Sequence, residues 1–309
     1  MWEILLKTLP FFALIGLGYV AGRTRFFSPE ATAHLTKFVF YFALSAMIFR
    51  FAANLSLAEV FDLRFMMAYF TGTIVVYGIA TLVASLRGLN IAEGAVEAQV
   101  AVIGNVGFLG IPMLVLLLGE GAIGPVMLVL TVDLIFFGSM IVILITGSRD
   151  GRVSLGVLRT VGVGLIKNPM IMAMIAGLVF AGFQLPIPAP ANEFLSLLGA
   201  AATPGALFAI GASLASKSAE RIAVAGWLTF CKLGLHPAAV AIAALYVFDV
   251  DPYAAGVMIA AAALPVAGNV YMIAQHYGVA PMRVSAAILL STVISILTLT
   301  GVIAWVTNF

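Results

Sequence analysis

Charged residues are scarce in this chain of 309 residues, and their scarcity limits the class of protein it can be. Lysine, arginine, aspartate and glutamate together make up 9% of the sequence, and hydrophobic residues make up 63%. Soluble domains carry about 25% charged residues. A chain with so little polar surface cannot face water on all sides. The sequence therefore predicts an all-helical polytopic protein in a lipid bilayer.

Other absences exclude further classes of protein. Cys231 is the single cysteine, which excludes an internal disulfide framework and a cysteine-rich metal site. The net charge of +2 is too small to indicate a nucleic-acid partner. No Gly-x-Ser-x-Gly, His-Glu-x-x-His or phosphate-binding loop is present. The sequence predicts no enzyme activity, no cofactor and no metal site.

Long apolar runs fill almost the whole chain. A membrane-spanning helix needs about 20 largely apolar residues, and ten candidate runs meet this requirement. They comprise residues 2–22, 31–53, 61–86, 93–118, 122–146, 157–183, 191–215, 222–248, 252–277 and 283–307. The connections between them are short, so we expect the function to be performed within the bilayer.

Basic residues predict the orientation of these spans, because lysine and arginine are enriched in cytoplasmic loops. Loops after odd-numbered spans hold ten of them, and the other side holds three. The ten are Arg23, Arg25, Arg87, Arg149, Arg152, Arg159, Lys167, Lys217, Arg221 and Arg283; the three are Lys7, Arg50 and Arg64. Both termini are therefore predicted on the non-cytoplasmic side.

Two spans contain residues that break helices. The fourth span holds Gly104-Asn105-Val106-Gly107-Phe108-Leu109-Gly110-Ile111-Pro112, and the ninth holds Ala263-Leu264-Pro265-Val266-Ala267-Gly268-Asn269-Val270. Glycine costs a helix interior about 1 kcal/mol and proline about 3 kcal/mol relative to alanine. Broken backbone at membrane depth is tolerated only where protein or a polar cavity covers it. These two stretches are therefore predicted to form a site.

The order of similar segments predicts an internal repeat. Gly22 aligns with Gly182, and Pro112 aligns with Pro265 after a loss of seven residues in loops. Residues 1–147 would form the first five-helix repeat, residues 148–156 a cytoplasmic linker, and residues 157–309 the second repeat. Because five is odd, the second repeat would enter the membrane inverted. Inverted repeats with discontinuous helices are typical of secondary transporters.

The glycine-rich motif of the fourth span resembles a signature of a known family. Residues 104–112 are similar to the asparagine-x-glycine-phenylalanine-x-glycine-x-proline motif of the auxin efflux carrier family. The segments around Phe42-Ala43-Leu44-Ser45-Ala46 and Ala262-Ala263-Leu264-Pro265 resemble the second and ninth helices of that family. The resemblance covers essentially the whole chain. The family includes plant auxin exporters and bacterial carriers of malonate and similar acids.

The resemblance implies a fold of the bile-acid-symporter or NhaA type, with ten transmembrane helices in which helices 4 and 9 are broken and cross. Helices 1, 2, 6 and 7 would form a scaffold, and helices 3–5 and 8–10 a mobile transport bundle. It also implies a homodimer and elevator-type motion. Compact loops favour a bacterial cytoplasmic (inner) membrane as the location.

Candidate substrate-binding residues lie in the two broken stretches. An unwound helix exposes backbone N–H groups at the positive end of a helix dipole, where a carboxylate can bind. The set comprises Asn105, Val106, Gly107, Phe108, Leu109, Pro112, Pro265, Val266 and Asn269. The two prolines are interpreted as backbone determinants. A simple helix–helix contact through small residues is the alternative interpretation of the glycines, and a structural hydrogen bond is the alternative role of Asn269.

Two charges lie near the middle of apolar spans, where each costs about 2.5–3.5 kcal/mol on insertion scales. Asp133 lies in the fifth span and Lys232 in the eighth, one turn before His236. We expect the two charges to approach each other or to relay a proton, with a static ion pair as the alternative. His236 could titrate or serve as a satisfied core histidine.

These features predict a secondary active carrier that exports small organic anions, driven by the membrane potential or a proton gradient. A sodium-coupled importer is one alternative, and it would need acidic ligands of which Glu97 and Asp133 are the candidates. A passive anion channel is another. Asn168-Pro169-Met170 resembles an aquaporin half-helix motif, but water channels carry two such motifs, and this chain has one.

Overall fold

The computed structural model describes residues 2–54, 62–150, 159, 162–163, 165–215 and 222–307. Regular structure in these ranges is helical, apart from one isolated backbone bridge. In chain order the helices are α1 (Trp2–Arg23), α2 (Pro29–Ala53), α3 (Leu63–Leu86), α4 (Ile91–Val102), α5 (Val106–Leu118), α6 (Glu120–Ser148), α7 (Pro169–Gly182), α8 (Ala189–Leu214), α9 (Ile222–Val247), α10 (Pro252–Ala262), α11 (Gly268–Tyr277) and α12 (Pro281–Val306).

Polar residues at the ends of the apolar runs fix where several helices begin. Ser28, Asp62, Asn90 and Asp251 each accept a hydrogen bond from a backbone N–H in the first turn of the following helix. Such caps satisfy N–H groups that have no partner within the helix. The caps therefore set the first residues of α2, α3, α4 and α10.

In the part of the chain that the structure describes, the helices support the prediction of an all-helical, multi-pass membrane protein. Within the described residues, six helices are long and apolar enough to cross a membrane: α2, α3, α6, α8, α9 and α12. Helices α5, α7 and α10 are apolar but shorter, with α5 and α10 bordering the two predicted breaks. The count of ten spans and their inversion remain predictions.

The sixth predicted span, residues 157–183, differs from the structure. Residues 165–167 are helical, but Asn168 has extended backbone (φ −79°, ψ 113°) and caps a new helix that starts at Pro169. Proline disfavours helical backbone in the residue before it and has no N–H to donate. The single continuous span was wrong, because hydropathy alone does not register this interruption.

Some sequence predictions concern residues outside the described ranges. Residues 151–156 of the predicted linker, and Arg152, Lys217 and Arg221, lie there, as do the first residues of the third and sixth predicted spans. The helical backbone of α6 continues past Ser148 to Asp150, but the side chain of Arg149 is not described.

Glycines bring several helix pairs into backbone contact. A Cβ on Gly18 of α1 would lie 2.1 Å from the carbonyl oxygen of Phe208 in α8, and one on Gly211 of α8 would lie 1.9 Å from that of Ile15. Helix α7 approaches α2 in the same way, because a Cβ on Gly177 would lie 2.7 Å from a backbone oxygen of α2. Only glycine permits such close packing at these positions.

An ion-pair cluster around the buried Glu97 joins one end of α3, α4 and α12. Glu97, 1% exposed, lies 2.7 Å from Arg87 and 3.1 Å from Arg283, and Arg283 also contacts Glu93 at 2.8 Å. Arg87 follows α3 and Arg283 lies in the first turn of α12. These two ends therefore lie on the same side of the protein, as the distribution of basic residues predicted.

Candidate substrate site at two broken helices

The two predicted breaks lie against each other and form hydrogen bonds. The N–H of Asn105 donates to the carbonyl of Pro265 at 2.8 Å, and the N–H of Ala267 donates to the carbonyl of Ile103 at 3.1 Å. Gly104 and Val266 form an antiparallel bridge between them. Backbone groups that each broken helix leaves open are thereby satisfied by the other, which is how irregular backbone survives at membrane depth.

The first break ends at Asn105, which precedes α5. The backbone carbonyl of Asn105 accepts hydrogen bonds from Leu109 and Gly110, whereas the N–H groups of Gly107 and Phe108 have no acceptor among the described residues. The side-chain amide of Asn105 is also without a described hydrogen-bond partner, although the residue is only 6% exposed. Unpaired donors thus cluster at the positive end of the α5 dipole.

The second break ends with a comparable group at the start of α11. The N–H groups of Gly268 and Asn269 find no acceptor in the part of the chain that the structure describes. The side-chain Oδ1 of Asn269 is buried and unpartnered there as well. Each break therefore places an asparagine and two open backbone N–H groups at the start of a short helix.

The prolines have different positions in the two breaks. Pro265 lies in the non-helical stretch and its carbonyl accepts the hydrogen bond from Asn105. Pro112 lies inside α5, past its first turn, so the first break occupies Ile103–Asn105 and does not extend to Pro112. The neighbouring Val266 donates its N–H to the Ser291 hydroxyl of α12 at 3.1 Å.

Some glycines of the motif also serve helix packing. A Cβ on Gly104 would lie 3.3 Å from the carbonyl oxygen of Ala261, and one on Gly110 would lie 2.6 Å from the end of Leu264. The small-residue interpretation therefore applies to Gly104, which lets α10 approach, and to Gly110, which lets the second break approach. Helix packing does not explain why the N–H of Gly107 has no described acceptor.

Lys232 belongs to α9, and the end of its side chain reaches the last residue of α10, beside the first break. Its side chain is fully buried, and its ammonium donates to the carbonyl of Ala262, the last residue of α10. A Cβ on Gly104 would lie 3.4 Å from Cε of Lys232. A cation at a helix C-terminus is stabilised by the dipole and by the open carbonyls there.

Lys232 is the first member of a series of buried polar side chains that contact one another. Its Nζ lies 3.1 Å from Nδ1 of His236, and Nε2 of His236 lies 3.0 Å from the Thr73 hydroxyl. An ammonium cannot accept a hydrogen bond, so Nδ1 is the acceptor and Nε2 carries the proton donated to Thr73. His236 is fully buried and, in this arrangement, satisfied at both ring nitrogens.

Asp133 lies in the same region with a different partner. Its Oδ1 accepts a hydrogen bond from the Tyr69 hydroxyl at 2.8 Å, and its Oδ2 is buried without a described partner. The Tyr69 ring lies edge-on to the ring of His236, with centroids 5.9 Å apart. The ion pairs in the described ranges do not include Asp133 with Lys232. The two charges are thus linked through Tyr69 and His236.

π-Helical turns carry several of these functional candidates. Asp133 lies in the turn Val132–Phe137 and Lys232 in Cys231–Leu235. Phe108 lies in Val106–Gly110, and its ring stacks on Phe40, which lies in Val39–Ala43. Such turns are rare and are frequent at functional sites.

Apolar residues close the side of the first break that faces α2 and α7. Val106 and Leu109 are buried, and the ring centroids of Phe108 and Phe40 lie 6.4 Å apart in nearly parallel planes. The methyl group of Met170 in α7 lies 2.7 Å from where a Cβ on Gly107 would be. Polar groups and an apolar wall therefore meet at the start of α5.

Three residues of this region escaped the sequence analysis, and a fourth, Met170, appeared there only within the Asn168-Pro169-Met170 motif. Tyr69, Thr73 and Ser291 partner the candidate residues, and Met170 covers Gly107. Hydroxyl residues in apolar helices are common, since they can bond to their own helix backbone. The helical spacing of Tyr69 and Thr73 on one face of α3 was the single available signal.

The fold and this site define a class of protein. A polytopic helical chain with buried polar groups at two discontinuous helices is organised as a membrane transporter. The comparison with known proteins agrees: residues 3–303 match the family model described as "Membrane transport protein". The chain therefore belongs to this family, the auxin efflux carrier family that its fourth-span motif resembles.

A relative from Rhizobium meliloti (strain 1021) is similar over nearly the whole length. It is 32% identical over 310 residues, which cover 98% of this chain and 96% of the relative. The relative is named "Putative malonate transporter". The match supports assignment as a transporter rather than an enzyme.

Proposed function

We propose that this protein is a secondary active transporter that exports small organic carboxylates. The substrate carboxylate binds at the start of α5, on the N–H groups of Gly107 and Phe108 and the side-chain amide of Asn105. Asn269 and the start of α11 contribute the second half of the site. Val106, Phe108 and Val266 contact the apolar part of the substrate.

The observation that supports this proposal most directly is the group of unpartnered donors at Asn105, Gly107 and Phe108. Leaving a buried polar group unpaired costs about 1–3 kcal/mol. A bound carboxylate removes that cost for several donors at once, and the α5 dipole favours its negative charge. The malonate in the relative's name is a small carboxylate of the kind such a site would take.

Export of an anion is favoured by an inside-negative membrane potential, by about 2.3 kcal/mol per charge per 100 mV. We propose that Asp133, Lys232 and His236 form the coupling group of the carrier. The chain of contacts from Asp133 through Tyr69 and His236 to Lys232 leads to the last carbonyl of α10. A proton that changed the charge of this group would alter how α10 is held.

A sodium-coupled importer finds less support in the structure. Of the two candidate ligands, Glu97 is already engaged by Arg87 and Arg283. The ammonium of Lys232 occupies the carbonyl end of α10, where a coupling cation would need oxygen ligands. Replacement of sodium by choline in the transport assay tests this alternative. A passive channel would show neither saturation nor counterflow.

Movement of two helix groups would give alternating access. We propose that α1, α2, α7 and α8 form a static scaffold and the remaining helices form the transport bundle. Extensive packing of α1 with α8 and of α2 with α7 supports this division. We further propose a homodimer in a bacterial cytoplasmic membrane with both termini outside.

Transport current across liposomes that contain the purified protein tests the function. Monocarboxylates, dicarboxylates and aromatic acids are applied in turn to the wild type and to Asn105→Ala. We expect a saturable current for one acid class, with at least a tenfold loss of apparent affinity in the variant, as removal of about 1.4 kcal/mol or more of binding energy requires. Loss of the charge-assisted hydrogen bond accounts for such a change.

Asn192→Ala is the matched control, because Asn192 is an exposed asparagine in the first turn of α8. It should leave the current unchanged. A saturable current that survives Asn105→Ala would move the site away from α5. No current for any acid would remove support for organic anions as the substrate.

A further inference from the structure

Met170 holds a defined position at the start of α7. It is the second residue of that helix, and its N–H donates to the Asn168 side chain at 3.0 Å. The residue is 4% exposed. The interruption at Asn168-Pro169 therefore places this side chain at the apolar wall of the first break.

The end of this side chain lies against Gly107 of α5. Its methyl carbon would lie 2.7 Å from a Cβ on Gly107, and its sulfur 3.9 Å from it. The methyl group thus lies in the space that any other residue at position 107 would fill. Gly107 is the first residue of α5 with an open N–H, so the methyl group lies against a residue of the proposed carboxylate site.

The residue after Gly107 is held by ring stacking. Phe108 stacks on Phe40 of α2, so a substrate carbon chain that passed between α5 and α2 there would have to separate the two rings. A chain that leaves a carboxylate bound to Gly107 and Phe108 meets the methionine methyl group close to its own carboxylate. Methionine is unbranched and adaptable, so it can yield to a short chain at small cost.

We propose that Met170 is a specificity-determining residue that sets the length of the carbon chain accepted at the first break. This inference rests on the function proposed above and names short-chain carboxylates as the substrate class. Shortening the side chain makes room for longer acids. The carboxylate-binding donors of α5 are left intact by that change.

Transport measurements with unbranched acids of increasing length test this inference. Malonate, succinate, glutarate and adipate, and the monocarboxylates acetate, butyrate and hexanoate, are compared in proteoliposomes. In Met170→Ala, we expect transport of acids longer by one or two carbons to rise about tenfold relative to the best wild-type substrate. One methylene in an apolar pocket commonly discriminates by a factor of about 10 or more.

Met174→Ala is a closely matched control. Met174 lies one turn further along α7, is also 4% exposed, and contacts the Thr131 hydroxyl through its sulfur at 3.2 Å. It should keep the wild-type length profile, as should Met170→Leu, which conserves volume. Should Met170→Ala fail to fold, Met170→Val must shift the profile in the same direction by a smaller factor.

Two results would overturn the inference while leaving the proposed function intact. One is robust, Asn105-dependent transport with the same length profile in wild type and Met170→Ala. The other is an equal shift in Met174→Ala, which would indicate a general loosening of α7. Absence of transport of every acid by the wild type would instead reject the proposed function, and the inference with it.

Discussion

Helix contacts of two kinds meet in this protein. Between α1 and α8, glycines pack directly against the backbone of the facing helix. A Cβ added to Gly18 would lie 2.1 Å from a carbonyl oxygen of α8, and one added to Gly211 would lie 1.9 Å from a carbonyl oxygen of α1. Between α5 and its neighbours α2 and α7, flexible or flat side chains make the contact. Met170 covers Gly107, and Phe40 stacks on Phe108.

The difference matters because the two contacts resist displacement unequally. Backbone packed on backbone has no side-chain rotamer that can yield, so a sliding motion would break it. A methionine side chain can turn a χ angle by about 30° from its rotamer for about 0.5–1.5 kcal/mol, and stacked rings can slide past each other. The glycine contacts lie within the proposed scaffold, whereas the side-chain contacts lie where the proposed transport bundle would move against it.

The largest expected effect comes from placing a methyl group in the glycine contact. Gly211→Ala would place a Cβ 1.9 Å from the carbonyl oxygen of Ile15, so α1 and α8 must separate. Overpacking typically costs 1–3 kcal/mol, and with backbone as the obstacle we expect about 3 kcal/mol. Melting curves of the purified protein in detergent should show a marked loss of stability.

Gly16→Ala provides the control for this substitution. A Cβ on Gly16 meets nothing within 4 Å, although the residue lies in the same helix α1. Its stability should equal or slightly exceed that of the wild type, because alanine favours a helix. Equal melting temperatures for Gly211→Ala and Gly16→Ala would show that the α1–α8 contact is not rigid.

Much of this arrangement could be predicted from composition and from helix-breaking residues. Sparse charge identified the membrane environment, and the glycines and prolines of residues 104–112 and 263–270 located both breaks. These signals are local: each is a residue type that conflicts with its apolar surroundings. The bonds between Asn105 and Pro265 then follow from the need of each break for backbone partners.

Contacts between distant segments could not be predicted in this way. Tyr69 reaches Asp133 across 64 residues, and Thr73 reaches His236 across 163. The sequence around a hydroxyl residue in an apolar helix does not indicate which distant residue it contacts. The interruption at Asn168 was overlooked for the opposite reason: hydropathy, averaged along the span, concealed the effect of Pro169.

An intermediate effect is expected inside the proposed transport bundle, at Asp133. If this carboxylate relays a proton, Asp133→Asn abolishes the dependence of transport on pH. Stability should change little, because an amide oxygen at that position can still accept from Tyr69. Transport current measured over a series of pH values, in wild type and variant, tests this expectation.

Tyr69→Phe is the control for Asp133, since it removes the hydrogen bond and keeps the carboxylate. It should retain a pH dependence, with its midpoint displaced. Full pH-dependent transport by Asp133→Asn would rule out the relay and leave Asp133 with a structural role.

The smallest expected effect on stability comes from a methyl group placed in the side-chain contact. Gly107→Ala is the same chemical change as Gly211→Ala, but the obstacle is the methyl end of Met170, which can move away. We expect a cost below about 1 kcal/mol, measured by the same melting curves.

In the double variant Gly107→Ala/Met170→Ala the obstacle is gone, so the stability effects of the two changes should not add. Additive effects, or a cost equal to that of Gly211→Ala, would mean that the contact beside the candidate site is as rigid as the glycine contacts, and that the proposed bundle cannot slide there.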